Sequence, residues 1–174
     1  SELKESRKKA YIEWNEDEKK AIYESKLNEG DIVIRCCIED IRELEKGYKH
    51  IVTYGMTVLY GDEEAFGGEW NGWGYEMTIK LKEETEENCM WAIDMLSNLA
   101  RYTYQSQNYF ESKQYVKGNG KSLHIGTDSL ITALLIVEDT EVKPQYSVYG
   151  KTEFLQLVGI TESELQAILA DHTN

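Results

Sequence analysis

The hydrophobic and polar positions of this chain follow the two-residue repeat of strands in several segments. Residues 73–82 (WGYEMTIKLK) alternate apolar and polar side chains, which predicts a strand with one buried and one exposed face. Residues 48–55 (YKHIVTYG) are rich in aromatic and β-branched types and predict a second strand. Residues 132–139 (TALLIVED) are almost entirely apolar, which is typical of a central strand covered on both faces.

Helical spacing of apolar residues marks the clearest helix, over residues 89–107. Its apolar stripe consists of Ile93, Leu96, Leu99 and Ala100. Residues 154–158 (FLQLV) predict a short buried strand that ends at Gly159. Thr161 and Glu164 then fit a capping box, in which a hydroxyl and a carboxylate satisfy the amide donors of a helix start. Since strands outnumber helices, the predicted class is α+β, with a mainly antiparallel or mixed sheet flanked by helices.

The first part of the chain shows a different pattern. Residues 1–29 are charged and favour helix, and Asn15 resembles the start of a second helix, so two helices are predicted there. Residues 31–46 begin with the β-branched composition of a strand, but their later apolar residues recur at helical spacing. We therefore predict extended chain up to Cys37 and helix after it.

Length and composition favour one domain in a reducing compartment. The chain has 174 residues, is 41% hydrophobic and contains four Trp and twelve Tyr, enough to bury a core. A mean hydropathy of −0.56 and the lack of a long apolar run argue against a transmembrane helix. The first residues lack the apolar core of a signal peptide. Three cysteines, two of them adjacent, do not form a disulfide framework. We expect a cytoplasmic protein without membrane association.

The charge of the chain narrows the classes of partner. It has 19 basic and 32 acidic residues, for a formal net charge of −13. Because a phosphate backbone attracts proteins of opposite charge, nucleic acid is not an expected partner. A strongly acidic surface suits a basic protein, whose encounter it would steer. The alternative is that the acidic residues only keep the domain soluble.

No group of residues has the spacing of a catalytic or metal site. His50 and His124 have no nearby Cys or acid at metal-ligand spacing, and His50 is expected to be a hydrogen-bonded structural residue. The glycine-rich loop at 61–74 lacks the Gly-Lys-Ser/Thr ending of a phosphate-binding loop. Glu138 and Asp139 follow an apolar strand, where a turn-forming role is favoured over a catalytic one. We expect no enzymatic activity, no cofactor and no metal.

Aromatic residues in or beside loops favour a binding protein. Tyr and Trp are the residues that most often anchor protein interfaces, although they could instead fill a core whose strands are short of leucine. The residues concerned are Trp70, Trp73, Tyr102, Tyr104, Tyr109 and Tyr115.

Five stretches of the chain carry a family resemblance: HIVTYGMTVLYGD, GWGYEMTIKLK, WAIDMLSNLARYTYQSQNYF, LLIVED and FLQLVGITESEL. In this order and at these separations they resemble a Suppressor of fused (SUFU) domain, from residue 48 to about residue 169. The resemblance implies that residues 48–171 form a SUFU-like α/β sandwich-like domain without enzymatic activity. Residues 1–47 fit the family poorly and are predicted to be a divergent helical segment of the same domain.

The resemblance also implies a function. Animal members of the family restrain zinc-finger transcription factors, whereas bacterial single-domain members are widely regarded as immunity proteins of polymorphic toxin systems. The chain has room for one domain, which favours the bacterial type. The expected function is therefore an immunity protein that binds a basic toxin domain. The alternative is a regulatory scaffold that sequesters a peptide or a transcription factor.

Two groups of residues are predicted to bind the partner. In animal relatives the partner peptide lies near an Arg-Tyr pair of the long helix and an acid shortly after it. Arg101 and Tyr102 match that pair, but Gln114 takes the place of the acid, which is a departure from the family pattern. The other predicted group is an acidic, aromatic-edged loop consisting of Glu63, Glu64, Glu69, Trp70 and Trp73.

Overall fold

A nine-stranded mixed sheet and two helices make up the described part of the chain. The computed structural model describes residues 10–15, 20–26, 33–40, 48–58, 63–82, 85 and 87–171. The strands are β1 (Ala10–Asn15), β2 (Lys20–Lys26), β3 (Val33–Asp40), β4 (Lys49–Tyr54), β5 (Trp70–Leu81), β6 (Tyr115–Lys117), β7 (Ile131–Glu138), β8 (Gln145–Ser147) and β9 (Gly150–Thr161). The helices are α1 (Met90–Ser106) and α2 (Glu162–Asp171), and single 3-10 turns form at Glu63–Ala65 and Glu87–Cys89.

The sheet joins two antiparallel halves through one parallel pair. Its strand order is β1-β2-β3-β4-β5-β9-β7-β6, and β8 pairs with the beginning of β9. The parallel pair is β5 and β9, with Tyr75 opposite Glu153 and Thr78 opposite Gln156. The mixed sheet with flanking helices confirms the predicted α+β class.

The two helices cover opposite faces of the sheet. Residues Leu134 and Ile136 of β7 belong to the main core, which α1 covers with Ile93 and Leu96. The intervening residue Leu135 instead packs in a smaller cluster with α2. Because successive side chains of a strand point to opposite faces, α1 and α2 lie on different sides of the sheet. The predicted helix at 89–107 and its apolar stripe are confirmed.

Strand β5 is buried on both faces, so the prediction of a half-exposed strand was wrong. Met77 and Ile79 face the α1 core, as the alternation predicted. On the other face, Glu76 and Thr78 are only 2% and 0% exposed. That face is covered because the chain after β4 folds over Glu76 and the turn after β7 contacts Thr78.

Strand β9 is longer than predicted and does not end at Gly159. This residue continues the strand opposite Leu134 of β7. A Cβ atom at Gly159 would lie 2.7 Å from Cγ2 of Ile131, so the glycine permits close approach rather than a turn. The capping box is confirmed, since the amide of Thr161 donates to Glu164 Oε2 at 2.7 Å and the amide of Glu164 donates to Thr161 Oγ1 at 3.3 Å.

The helical prediction for the first part of the chain was wrong wherever the structure describes it. Strands β1 and β2 form an antiparallel pair in place of two helices. Strand β3 continues to Asp40, past Cys37, because its backbone pairs with β2 on one side and β4 on the other. Tyr, Ile and Trp in these segments favour strands, and pairing outweighed the helical preference of the charged residues. Residues 41–47 lie outside the described part, and the domain boundary at residue 48 stays a prediction.

Candidate functional site

An apolar groove lies between helix α1 and the edge strand β6. Its volume is about 690 Å³, within the usual size of ligand-binding pockets. Helix α1 contributes Met95, Leu99 and Tyr102 to one wall, and β6 contributes Val116 and Lys117 to the other. The groove therefore combines an apolar surface with the backbone of a strand at the edge of the sheet.

The loop between β6 and β7 forms one end of the groove. The ring of His124 stacks on Trp91 of α1, with 4.7 Å between the ring centroids and 13° between the planes. Leu123 packs against the main core, and its amide donates to the carbonyl of Ile131 at 2.9 Å. These contacts hold the loop against α1, so this end of the groove is preformed.

Strand β6 presents the polar backbone groups of a sheet edge. Among the described strands it pairs with β7 alone. Towards β7, the amide of Gly118 donates to the carbonyl of Thr132 at 3.1 Å, and the carbonyl of Gln114 accepts from a β7 amide at 2.9 Å. Because backbone groups alternate in direction along a strand, those of Tyr115 and Lys117 point away from β7. A strand of another chain could pair with them.

Aromatic side chains form the other end of the groove. Tyr102 of α1 stacks on Phe110, with 5.7 Å between the centroids and 28° between the planes. Tyr102 and Tyr109 are 48% and 58% exposed. Their rings are therefore available to a partner, which is the arrangement of interface anchors. A neighbouring cavity of about 520 Å³ is lined by Tyr102, Tyr109, Phe110, Lys113, Gln114 and Tyr115.

The structure brings Tyr102 and Gln114, two of the predicted binding residues, to the same cavity. Gln114 Oε1 accepts the amide of Glu111 at 3.1 Å and so helps to form the turn before β6. Arg101 is separate from them. Its guanidinium donates to Asn98 Oδ1 at 2.7 Å, and it is not among the side chains that line either cavity. A partner-binding role for these residues stays a prediction.

The predicted loop adjoins this aromatic end through its tryptophans. Trp70 and Trp73 line a cavity of about 360 Å³ together with Tyr109 and Phe110. Trp73 is half-buried and packs edge-on against Tyr104, with 5.5 Å between centroids, so part of its surface serves the core. The two predicted groups thus meet at the 109–110 segment.

The acidic members of the loop lie apart from that cavity. Glu63, Glu64 and Glu69 are exposed, the first two within the 3-10 turn that precedes β5. They do not line the cavity that contains the two tryptophans. Their binding role also stays a prediction.

Comparison with known proteins identifies the family. A family model described as Suppressor of fused protein (SUFU) matches residues 31–174. The chain belongs to the Suppressor of fused family. The matched region includes β3 (Val33–Asp40), which lies in the segment that fitted the family poorly by sequence.

Curated relatives are Suppressor of fused homologues of human and mouse. Each is 35% identical to this chain over 124 residues, which cover 68% of the chain and 25% of the relative. This Suppressor of fused domain therefore matches about a quarter of the length of those proteins.

Solved structures show the same fold. A crystal structure described as the Sufu-Fu complex matches with a TM-score of 0.62 at 23% identity, over 77% of this chain and 62% of that chain. The crystal structure of Drosophila Suppressor of Fused matches with a TM-score of 0.66 at 22% identity, over 84% and 39% respectively. These matches confirm the predicted SUFU-like architecture.

A buried polar network in this Suppressor of fused domain joins β4, β5 and the turn after β7. Asp139 Oδ2 lies 3.0 Å from His50 Nε2 and accepts a short hydrogen bond from Thr78 Oγ1. Asp139 Oδ1 accepts the amides of Glu141 and Val142 at 2.7 and 2.9 Å. His50 and Asp139 are 3% and 4% exposed, so a substrate could not reach them. The structural role predicted for His50 and the turn-forming role predicted for Asp139 are confirmed.

The hydrogen bonds of Asp139 keep its carboxyl group ionised. Burial alone would raise its pKa, but hydrogen bonds from His50, Thr78 and the amides of the following turn outweigh burial and hold the pKa well below its usual range. Lys80 Nζ also lies 3.5 Å from Asp139 Oδ1. The carboxylate therefore fixes the turn to the sheet as a charged group.

Glu76 is a second buried carboxylate, and sequence reasoning missed it. Its oxygens accept the hydroxyls of Thr53 and Thr57, each at 2.7 Å, and the amides of Gly55 and Thr57 at 3.1 and 3.0 Å. Burial raises the pKa of Glu76, and these hydrogen bonds offset burial only in part. The alternating pattern of β5 placed it on a solvent-facing side, so the sequence offered no signal. Its role is to fix the chain after β4.

The described residues offer neither a metal site nor a membrane-spanning helix. No three His, Cys, Asp or Glu side chains in this part of the chain are grouped so that they could hold a metal ion. None of its helices is long and apolar enough to cross a bilayer.

Proposed function

We propose that this chain is a non-enzymatic protein-binding domain that receives an extended segment of its partner as an added strand on β6. The observation that carries the proposal is the groove, because it lies between the apolar surface of α1 and β6, an edge strand with backbone groups that point away from β7. Addition of a strand to a sheet edge is a common mode of peptide recognition, in which backbone hydrogen bonds give affinity and side-chain pockets give specificity.

The side chains of the added strand would divide between the two sides of the sheet. Alternate residues would enter the groove and contact Met95, Leu99 and Val116. A residue near the start of β6 would meet the stacked rings of Tyr102 and Phe110. The proposed segment therefore carries apolar or aromatic residues at every second position.

Lys117→Pro tests the proposal, because proline removes the outward amide and leaves the bonds to β7 intact. Peptides would be selected from a phage-displayed library of random 12-residue sequences on the wild-type protein and measured by isothermal titration calorimetry. We expect the substitution to weaken binding of the strand-adding peptides at least tenfold, as for the loss of about 1.4 kcal/mol. Lys117→Ala is the matched control, since it removes the same side chain and keeps the amide. Equal binding to wild type, Lys117→Ala and Lys117→Pro would exclude strand addition at β6.

We further propose that the partner is a toxin domain, and that the chain is a cytoplasmic immunity protein of a bacterial polymorphic toxin system. Two features support this: the resemblance to bacterial single-domain members, and the net charge of −13, which suits a basic partner. The test is co-purification with the product of the neighbouring reading frame. If that product is harmless to cells that lack this protein, the toxin proposal is wrong.

A regulatory scaffold is the second candidate function. It is favoured by the groove, which suits an extended peptide, and by the relative that was crystallised as the Sufu-Fu complex. It predicts that isolated peptides bind the groove by themselves. Tight binding to a folded toxin, together with no binding to any library peptide, would decide against it.

A further inference from the structure

An exposed apolar cluster lies at the tip of the β8–β9 hairpin, outside the groove. Four large side chains have much of their surface in solvent: Phe66 is 51% exposed, Trp70 44%, Tyr146 77% and Val148 62%. With Tyr149, they are called the hairpin-tip surface here. None of the five lines the groove between α1 and β6. Large exposed apolar side chains that are gathered in one region are typical of interaction sites.

Two chain segments are held together to form the hairpin-tip surface. The amide of Gly67 donates to the carbonyl of Val148 at 2.9 Å, and the amide of Lys151 donates to the carbonyl of Glu69 at 3.0 Å. The rings of Phe66 and Tyr149 contact each other, with 5.3 Å between centroids.

Glycine permits this close approach. Gly150 has a φ of 116°, and a Cβ atom there would lie 2.6 Å from the carbonyl oxygen of Gly68. The surface is therefore built into the fold and does not depend on a partner to assemble it.

Acidic residues adjoin the apolar cluster on the side of Phe66 and Trp70. Glu63 and Glu64 precede Phe66 in the 3-10 turn, Glu69 precedes Trp70, and all three are exposed. Among the residues that the structure describes, Lys151 is a basic residue at this surface; its ammonium group is bonded to Glu153 at 2.6 Å and lies 5.0 Å from the Trp70 ring centroid. Because the ammonium group of Lys151 is already paired with Glu153, the described charges beside the apolar side chains are mainly those of glutamates.

We infer that the hairpin-tip surface is a second docking site. Its partner is a protein surface on which an apolar side chain lies among lysines and arginines. Negative charge at the site disfavours nucleic acid and anionic membranes, which carry the same sign. It also disfavours a second copy of this chain, whose net charge is −13. A basic protein surface is complementary in both respects, since it supplies cations for the glutamates and aromatic rings and an apolar group for the cluster. This inference goes beyond the groove and does not depend on strand addition.

The experiment uses the Lys117→Pro protein, so that strand addition at β6 is weakened. A phage-displayed library of random 12-residue peptides would be selected on this protein, and the enriched peptides would be measured by titration calorimetry. We expect enrichment of peptides that carry a net positive charge and at least one aromatic or aliphatic residue. Further substitution of Phe66→Ser and Val148→Ser should weaken their binding at least tenfold.

Charge variants provide the matched comparison. Glu63→Gln, Glu64→Gln and Glu69→Gln together should weaken binding at least fivefold. Asp128→Asn and Glu162→Gln, near the other end of β9, and Asp171→Asn, at the end of α2, remove the same charge at exposed positions. Twelve strand residues separate the two ends, about 36 Å. This second triple variant should bind within a factor of two of its parent.

Three outcomes would overturn the inference. The first is selection of neutral or acidic peptides, or of none. The second is unchanged binding after Phe66→Ser and Val148→Ser. The third is a concentration-dependent dimer that these two substitutions abolish, because the surface would then serve self-association. If peptides bind the hairpin-tip surface but none adds to β6, the proposed function is contradicted and this inference is not.

Discussion

At the scale of single residues, the most informative positions are two buried carboxylates with opposite shifts in pKa. Asp139 is held ionised by donors from three parts of the chain, whereas Glu76 is buried among neutral donors that offset its desolvation only in part. Neither shift in pKa could be predicted from sequence. Asp139 follows an apolar strand like many turn residues, and its contact with His50 joins positions 89 residues apart. Spacing along the chain carries no information on such a contact.

Asp139→Asn should destabilise the fold in a pH-dependent manner. Its lowered pKa means that the unfolded state binds the proton more tightly, so the stabilisation is present above the unfolded pKa of about 3.9 and is lost as the pH falls below that value. We expect a loss of about 3 kcal/mol in the free energy of unfolding at pH 7 and a clearly smaller loss at about pH 2.5, below the unfolded pKa. Urea unfolding followed by tryptophan fluorescence measures both.

Glu76→Gln is the control, because its effect on stability should depend on pH in the opposite direction. The raised pKa of Glu76 means that the folded state binds the proton more tightly, so the ionised group weakens the fold as the pH rises above about 4.3. The difference in unfolding free energy between wild type and Glu76→Gln should therefore be larger at pH 4 than at pH 7. Parallel pH profiles for the two variants would contradict this account of both carboxylates.

At the scale of elements, structure that depends on local signals was predicted well, whereas structure that depends on the pairing of distant strands was not. Helix α1 and the capping box at Thr161 were predicted because their hydrogen bonds and apolar stripe lie within a few residues. Strands β1 and β2 and the end of β3 past Cys37 were missed, because their extended form depends on pairing with one another and with β4. The groove could not be predicted either, since it needs both α1 and the edge position of β6.

Gly159→Ala should destabilise β9 through its contact with β7. The added Cβ would lie 2.7 Å from Cγ2 of Ile131, closer than two non-bonded carbon atoms can approach. We expect a loss of about 1–3 kcal/mol, measured by urea unfolding. In an Ile131→Ala background the same substitution should cost less, because Cγ2 is absent. An equal cost in both backgrounds would show that Gly159 is needed for the backbone conformation of β9 and not for its contact with Ile131.

At the scale of the whole molecule, charge is unevenly distributed around two proposed binding surfaces. Residues 48–174 contain 19 acidic and nine basic side chains, so most of the net charge of −13 belongs to this region. The groove nevertheless has Lys113 and Lys117 close to its strand wall, whereas the hairpin-tip surface has exposed glutamates next to Phe66 and Trp70. The two surfaces therefore present different charge to a partner.

Salt should distinguish the two surfaces. Peptides that bind the hairpin-tip surface should lose at least tenfold in affinity between 50 and 500 mM sodium chloride, because the Debye length falls from roughly 14 Å to roughly 4 Å. Peptides that add to β6 should change less than threefold, since backbone hydrogen bonds and apolar contacts carry their affinity. Calorimetric titration at both salt concentrations makes the comparison. If both sets of peptides showed the same salt dependence, charge would not contribute more to binding at the hairpin-tip surface than at β6.

The parallel pair of β5 and β9 has a consequence for synthesis of the protein. Its partners are far apart in the chain, since Tyr75 pairs with Glu153. During translation, β1 to β5 can form their antiparallel ladder before β9 has left the ribosome. Until then, one side of β5 is an unprotected edge with an apolar face, which is the feature that promotes aggregation of nascent chains. The C-terminal strand thus closes the domain, and a chain truncated before β9 should require chaperones to stay in solution.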